Sequence, residues 1–276
     1  MHEILVLWAT PRSTGTAFEW MMRQRGDLTC FHEPFGEWWY EGDGAPWPRL
    51  TPDSPRKPGL TFAIVWSNLQ RAAAQGPIFS KDFPHYIEKH WTVEFLSHFT
   101  HTFLIRDAAK VVTSVQKRWP DVHLKELAFA EQRALFDRIS DRDGQAPPVI
   151  DSDDLLENPE GIVRAYCDAV GLPFIKEALT WEAGIDTGSY SWYDGGSWHE
   201  KLKGSTGLKP QKPGYTDISS APRRAKQLYK KVRPHYEHLY QYRLIPEQSG
   251  LHMPEGVTLA DCARARLMRQ IMSPLI

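Results

Sequence analysis

Long hydrophobic runs are missing from this 276-residue chain. No stretch approaches the roughly 18 apolar residues that a helix needs to cross a bilayer. The apolar run Ile4 to Ala9 follows Glu3 without a basic leader and ends at Pro11 and Arg12, which is not the plan of a signal peptide. Cysteine is scarce: Cys30, Cys167 and Cys262 are odd in number and far apart. That fits reduced thiols in a cytoplasmic protein better than a disulfide framework. Neither sign of charge is in excess, with 33 Lys and Arg against 34 Asp and Glu and a net charge of -1. A general nucleic-acid or acidic-membrane surface is therefore not expected, and any anion has to be bound locally. Metal patterns are also lacking: there is no HExxH or paired-cysteine motif, and His98 and His101, three apart, have no third ligand nearby. No metal is expected. Walker A, GxxxxGK[ST], is absent as well.

What is present is the composition of a globular protein, 41% hydrophobic and 24% charged, in a chain long enough to bury a substantial core. One large α/β domain or two small ones would fit, and nothing demands two. Short apolar strands are expected at 4–9, 28–31, 78–80, 102–105 and 149–151. Helices are expected near 17–25, 61–74, 108–118, 124–142, 160–170 and 222–242, while 92–97 is ambiguous between helix and strand. This alternation predicts a parallel sheet covered by helices on both faces. Residues 38–60, with Trp38, Trp39, Tyr40 and Trp47, read as a long structured loop. Six glycines and the aromatics Tyr190, Trp192, Tyr193 and Trp198 in 184–207 suggest either a lid or a surface loop whose aromatics plug the domain. The cations Arg223, Arg224, Lys226, Lys230, Lys231 and Arg233 read as a solvated helix face sooner than as a dedicated partner site. The expected organisation is a single domain over 1–244 and a C-terminal extension over 245–276 packed on it, with a helix at Leu259–Ile271.

Four strand ends carry the chemistry. After Ala9 comes Thr10, Pro11, Arg12, Ser13, Thr14, Gly15, Thr16, then a helix near Ala17. First-turn N–H groups lack intrahelical partners and the macrodipole is positive there, so an oxyanion is stabilised. Ser13, Thr14 and Thr16 add hydroxyls, Gly15 lets the backbone turn, and Arg12 supplies a forked cation. An ordinary capped strand-to-helix turn would also fit these residues. The second strand runs into His32, Glu33, Pro34, Phe35, Gly36 and Glu37, and the third into Lys81, Asp82, Phe83, Pro84 and His85. In parallel sheets the carboxyl ends of the strands form the ligand-binding edge. The fourth strand stops at Arg106, where Asp107 is a good N-cap for the following helix.

Thr10 to Phe18, together with Phe103 to Ser114, resembles the sulfotransferases that use 3′-phosphoadenosine 5′-phosphosulfate (PAPS), and the similarity extends over roughly residues 3–174. The resemblance implies a three-layer P-loop-like α/β fold with a central parallel sheet. It further implies in-line transfer of a sulfuryl group to a hydroxyl or amine of a small molecule, with adenosine 3′,5′-bisphosphate (PAP) as product and no metal required. On that resemblance, Arg12, Ser13, Thr14, Gly15, Thr16 and Ala17 hold the 5′-phosphosulfate. Arg106 and Ser114, eight apart, hold the 3′-phosphate, and Lys81 stands beside the transferred group. The histidine that some members carry two residues after that lysine is missing here, since Asp82 and Phe83 follow Lys81. Other members, chiefly bacterial, place a glutamate after the second strand. The base is accordingly sought in Glu33, then Glu37, then His32. A salt bridge from Glu33 to Arg12 or Lys81 is the competing reading. Trp38 and Trp39, with the 184–207 aromatics, suggest a partly apolar or aromatic acceptor. Two rivals remain: a P-loop-type kinase or hydrolase, and a non-catalytic module that binds PAP or PAPS.

Overall fold

The computed structural model describes residues 3–184, 200–210 and 217–246. The chain divides into two units, and the elements below all belong to the first, Met1–Ile245. The expected helix Leu259–Ile271, the rest of the extension past residue 246, and Tyr190, Trp192, Tyr193 and Trp198 lie outside the described residues.

Five strands form one sheet: β1 (Ile4–Ala9), β2 (Thr29–His32), β3 (Ile78–Asp82), β4 (Phe99–Ile105) and β5 (Val149–Asp151). They are ordered β2-β3-β1-β4-β5 and every pairing is parallel. The helices are α1 (Gly15–Gln24), α2 (Pro34–Glu41), α3 (Phe62–Gln75), α4 (Val93–Leu96), α5 (Ala108–Arg118), α6 (Phe129–Asp143), α7 (Ser152–Glu157), α8 (Pro159–Val170), α9 (Glu200–Lys203) and α10 (Arg223–Tyr240). None of the described helices is long and apolar enough to cross a membrane.

β1 is apolar throughout because both of its faces are covered. Successive side chains point to opposite faces. Ile4, Val6 and Trp8 therefore pack with α2, α3 and α6, through Trp39, Leu69 and Phe136 among others. Leu5, Leu7 and Ala9 pack with α1 and α8, through Phe18, Met22 and Tyr166. These are the three layers expected. Helix α5 joins α10 in a third cluster through Val111, Val115, Leu228 and Val232.

β1 lies between β3 and β4, so the chain changes direction of travel across the sheet at its carboxyl end. Such a switch point leaves a crevice at the sheet edge. Two carbonyls at that edge, those of Trp8 and Leu104, each accept a 2.9 Å hydrogen bond from Gln132 Nε2. The α6 amide thus closes two otherwise exposed ends of the backbone ladder.

Several boundaries differ from expectation. Residues 34–41 are helix α2 rather than strand end and loop: Pro34 presets the first helical φ, and Phe35, Trp38 and Trp39 at i, i+3 and i+4 make one buried face. Trp38 and Trp39 are consequently core residues, 8% and 1% exposed, and their support for an aromatic acceptor falls away. The helix expected over 124–142 is a short turn, Leu124–Leu127, and then α6, separated by Ala128 at φ 60. Helix 93–96 resolves the ambiguity, with the Thr92 hydroxyl accepting from the Phe95 N–H. β3 runs two residues further than expected, which brings Lys81 and Asp82 into the sheet.

Candidate active site

The turn between β1 and α1 is strained and tied on three sides. Arg12 and Thr14 both have left-handed backbone, φ 61 and 72, a conformation costly for residues with a Cβ. Ser13 Oγ donates to Thr10 O at 2.6 Å. Arg106 Nη1 donates to Arg12 O at 2.7 Å, and Thr14 Oγ1 lies 2.6 Å from Ser152 Oγ. The Ser13 hydroxyl therefore holds the turn, which accounts for its donor proton. Gly15 also serves differently from expectation: its φ is not positive, and a Cβ there would lie 2.8 Å from Lys81 Cε. It makes room for the lysine. The Ala17 N–H bonds to Thr14 O at 3.1 Å, while in the first turn of α1 the N–H groups of Gly15 and Thr16 have no intrahelical acceptor. Thr16 and Ala17 are half-buried.

On the β4 side, Arg12 Nε donates to Ser114 Oγ at 3.0 Å. With the Arg106 bond to Arg12 O, this joins the two stretches singled out from sequence into one cluster. Three guanidiniums contribute charge: the Arg12 pKa is lowered, first by burial and then by the like charges of Arg118 and Arg106. Arg106 Nε is buried without a hydrogen bond, and its nearest acid, Asp153 Oδ1, is 4.0 Å away. Asp153 is engaged by Lys110 at 2.8 Å. The Thr10 hydroxyl is likewise buried and unpartnered. Clustered like charges and orphaned donors cost free energy unless a multiply charged anion satisfies them. The donor set fits phosphate or sulfate oxygens.

On the β3 side, Lys81 Nζ is paired with Glu33 Oε1, and the Tyr86 hydroxyl donates to Glu33 Oε2 at 3.2 Å. Glu33 has φ 44 and is the N-cap residue of α2. Asp82, fully buried, accepts from the N–H groups of Phe35 at 3.1 Å and Phe83 at 3.0 Å. These bonds clamp the start of α2 onto β3. Burial, followed by the Glu33 charge, pushes the Asp82 carboxyl well above its ordinary range. His32 sits one residue before Glu33, its Nε2 3.7 Å from Glu33 Oε1, and its Nδ1 lies 2.6 Å from Glu19 Oε2. Glu37 is not part of this group: it projects from α2 to Lys57 near the surface.

The structure thus brings Arg12, Gly15, Arg106 and Ser114 together, sets Lys81 against the same turn with Glu33 paired to it and His32 beside Glu33, and leaves Glu37 outside. His101 is a core residue rather than a ligand, taking the Trp8 Nε1–H on Nδ1 at 2.9 Å and placing Nε2 2.9 Å from Leu96 O. Burial lowers its pKa to about 4. Four neighbours escaped the sequence reading. Arg118 follows Ser114 by one helical turn, a spacing that could have flagged it. Glu19 is a charge among Phe18, Met21 and Met22 on the buried side of α1, a departure from pattern visible in sequence. Ser152 and Tyr86 reach the site through tertiary packing and carry no local signal.

A model of a sulfotransferase domain matches residues 3–241. Among curated proteins, the chain is 28% identical over 218 residues to branched-chain-amino-acid aminotransferase-like protein 2 of Arabidopsis thaliana, covering 76% of this chain and 37% of that one. It is 25% identical over 262 residues to branched-chain-amino-acid aminotransferase-like protein 1 of the same plant, covering 93% and 46%. The chain therefore spans less than half the length of these relatives. Among solved structures, the sulfotransferase domain of the Synechococcus PCC 7002 olefin synthase aligns with a TM-score of 0.42 and 17% identity, over 89% of this chain and 96% of that chain. The sulfotransferase domain from the curacin biosynthetic pathway aligns at 0.46 and 15%, over 84% and 97%. With the family model spanning almost the whole described unit, the chain belongs to the sulfotransferase domain family.

Proposed function

We propose that this protein moves a sulfuryl group from PAPS to a hydroxyl or amine of a small-molecule acceptor by in-line displacement, leaving PAP. The observation that carries the reading is the joining of two motifs about a hundred residues apart in the chain, through Arg12 Nε to Ser114 Oγ and Arg106 Nη1 to Arg12 O. Arg106, Ser114 and Arg12 would hold the 3′-phosphate side of the nucleotide. Within residues 13–17, the N–H groups of Gly15 and Thr16 and the hydroxyls of Thr14 and Thr16 would hold the 5′-phosphosulfate with Arg12, while the Ser13 hydroxyl and the Ala17 N–H hold the turn itself. PAPS supplies the activated sulfuryl group when bound; the protein positions it and neutralises charge that builds on the leaving phosphate oxygen.

Lys81 would serve the transferred group; the closeness of its Cε to Gly15, at the start of α1, supports that role. Glu33 is the base of this reading. Its partner Lys81 is the cation for which the sulfuryl oxygens compete, and release from that pairing leaves the carboxylate freer to take the acceptor proton. His32 follows as the next candidate, and Glu37, paired with Lys57, is set aside. The acceptor is a small molecule whose apolar part would meet Phe83, over which Lys81 Nζ lies 4.2 Å from the ring centroid. Free thiols at Cys30 and Cys167 support a reducing, cytoplasmic setting.

The test is a titration with PAP, and with ADP plus Mg²⁺ in parallel, in wild type and Arg106→Ala, followed by transfer from radiolabelled PAPS across a panel of alcohols and amines. Preference for the 3′-phosphorylated nucleotide, lost in the variant, and label in an acceptor are the expected results. Equal or better binding of Mg-ADP sinks the proposal.

A further inference from the structure

Glu19 has no place in the reading above. Its carboxylate is completely buried on α1 and has two partners: Arg23 Nη2 at 2.7 Å and His32 Nδ1 at 2.6 Å. A fully buried acid is retained only when paired. Burial opposes its charge, yet His32 first and then Arg23 and Lys81 hold the carboxyl below its ordinary range. A carboxylate can only accept, so His32 Nδ1 carries the hydrogen, and Nε2 is turned toward Glu33 Oε1 at 3.7 Å. Glu19, His32, Glu33 and Lys81 thus stand in a line of buried side chains from α1 to the edge of the sheet, with a 3.7 Å gap between His32 and Glu33. Cys30, on the same strand as His32, is a thiol that burial pushes up to about 12, so it adds no charge to this line.

We infer that Glu19 is a positioning residue which, through His32, makes Glu33 a reusable base. This rests on the sulfuryl-transfer reading. As the acceptor oxygen bonds to sulfur and the bond from sulfur to the phosphate oxygen breaks, the acceptor O–H breaks and its proton forms an O–H on Glu33. That proton then moves to His32 Nε2, a shift that must first close the 3.7 Å gap. The Glu19 carboxylate balances the imidazolium, and the proton is lost to solvent after product leaves. The charged and titratable groups facing His32 and Glu33 are Glu19 and Arg23 from α1, Lys81 and Asp82 from β3, and Tyr86 from the turn after it. Glu19 is the group that meets the far nitrogen of the ring, Nδ1, at 2.6 Å. The arrangement of a buried carboxylate behind a histidine fixes tautomer and orientation, as in other acid–histidine pairs.

Glu19→Gln keeps a hydrogen-bond acceptor at the same place and removes the charge. The expected result is a kcat lowered by roughly 10- to 1000-fold, with the PAP dissociation constant and acceptor KM within about twofold, and with the acidic limb of the pH–rate profile moved to lower pH. Glu19→Asp restores part of the rate, because it keeps the charge. A proton resonance far downfield, assigned to His32 Nδ1–H by its loss in Glu19→Gln, checks the pairing without activity. Full kcat in folded Glu19→Gln, or no such resonance in wild type, overturns the relay alone. Wild-type protein that binds PAP and transfers to no acceptor overturns the functional reading, and the relay with it.

Discussion

Replacing Gly15 by alanine tests whether the seat of Lys81 is built by the absence of a single Cβ. Alanine is allowed by the backbone here, since Gly15 is not among the positive-φ glycines, and a helix residue gains up to about 1 kcal/mol on Gly→Ala. The added Cβ would stand 3.4 Å from Ala9 Cβ and 3.7 Å from Leu104 Cδ2, both ordinary contacts, but 2.8 Å from Lys81 Cε. Reaching 3.4 Å there requires Lys81 Cε to retreat by about 0.6 Å. The lysine stem is flexible, so the fold can absorb this. The ammonium cannot retreat so freely, because it is 2% exposed and paired with Glu33. The expected outcome is stability within about 1 kcal/mol of wild type by urea unfolding, PAP affinity nearly unchanged, and kcat down roughly 10- to 100-fold, the scale of a sub-ångström misplacement at a reacting centre. A folded Gly15→Ala enzyme with wild-type kcat refutes the idea that the lysine must sit against this turn. A loss of several kcal/mol of stability refutes it from the other side, since then the backbone gives way rather than the side chain.

Arg106→Ala removes a charge-assisted anion contact and the donor to Arg12 O, so PAP binding weakens about 10- to 100-fold by calorimetric titration. Gln132→Leu strands the buried carbonyls of Trp8 and Leu104, and urea unfolding should show a loss of roughly 2 to 4 kcal/mol. Asp151, buried at the end of β5, has its carboxyl pushed by burial, and by nearby Asp153 and Asp154, from 3.8 to about 6. The folded chain holds this proton more tightly than the unfolded one. Its contribution to stability is therefore intact below pH 4 and is lost as pH rises through about 6, at most roughly 3 kcal/mol. Asp151→Asn should flatten the fall between unfolding midpoints measured at pH 4 and pH 7.

The parts of the fold legible in the sequence were those where local pattern and tertiary role agree. β1 reads as a six-residue apolar run because it is covered on both faces. Asp107 reads as a cap because its side chain accepts from the Lys110 N–H. Helix α2 was hidden because Gly36, a residue that usually breaks helices, lies inside it, and because four aromatics in nine residues invite a loop reading as readily as a buried face. The joining of Arg12, Arg106 and Ser114 was legible for a physical reason: these residues lie at or just after two strand ends, and strand ends in a parallel sheet converge. The base side was less so. The sequence ranks Glu33, then Glu37, then His32, and it is the turn of α2 that separates them, sending Glu37 to Lys57 and leaving the other two with Lys81 and Glu19. Tyr86 and Ser152 enter from other elements, where spacing carries no information about them, whereas Glu19 shows as a charge on the apolar side of α1.

Backbone strain is concentrated where the charges are. Of the described non-glycine residues, four have positive φ: Arg12, Thr14, Glu33 and Ala128. Three of them carry the site. A residue in this region costs about 1–3 kcal/mol and persists only when its surroundings over-determine it. Each has its clamp. Arg106 holds the Arg12 carbonyl, Ser152 holds the Thr14 hydroxyl, and Asp82 holds the amide two residues after Glu33. The clamps come from the ends of β4, β5 and β3 in turn, so the strained residues of one edge are fixed by the rigid strands beside it. The consequence is that the cations of the turn and the carboxylate of Glu33 do not relax toward one another. Lys81 stands beside both, joined to Glu33 and seated against the turn in the space that Gly15 leaves, and the separation of the guanidiniums from the Glu33 carboxylate is built into the backbone.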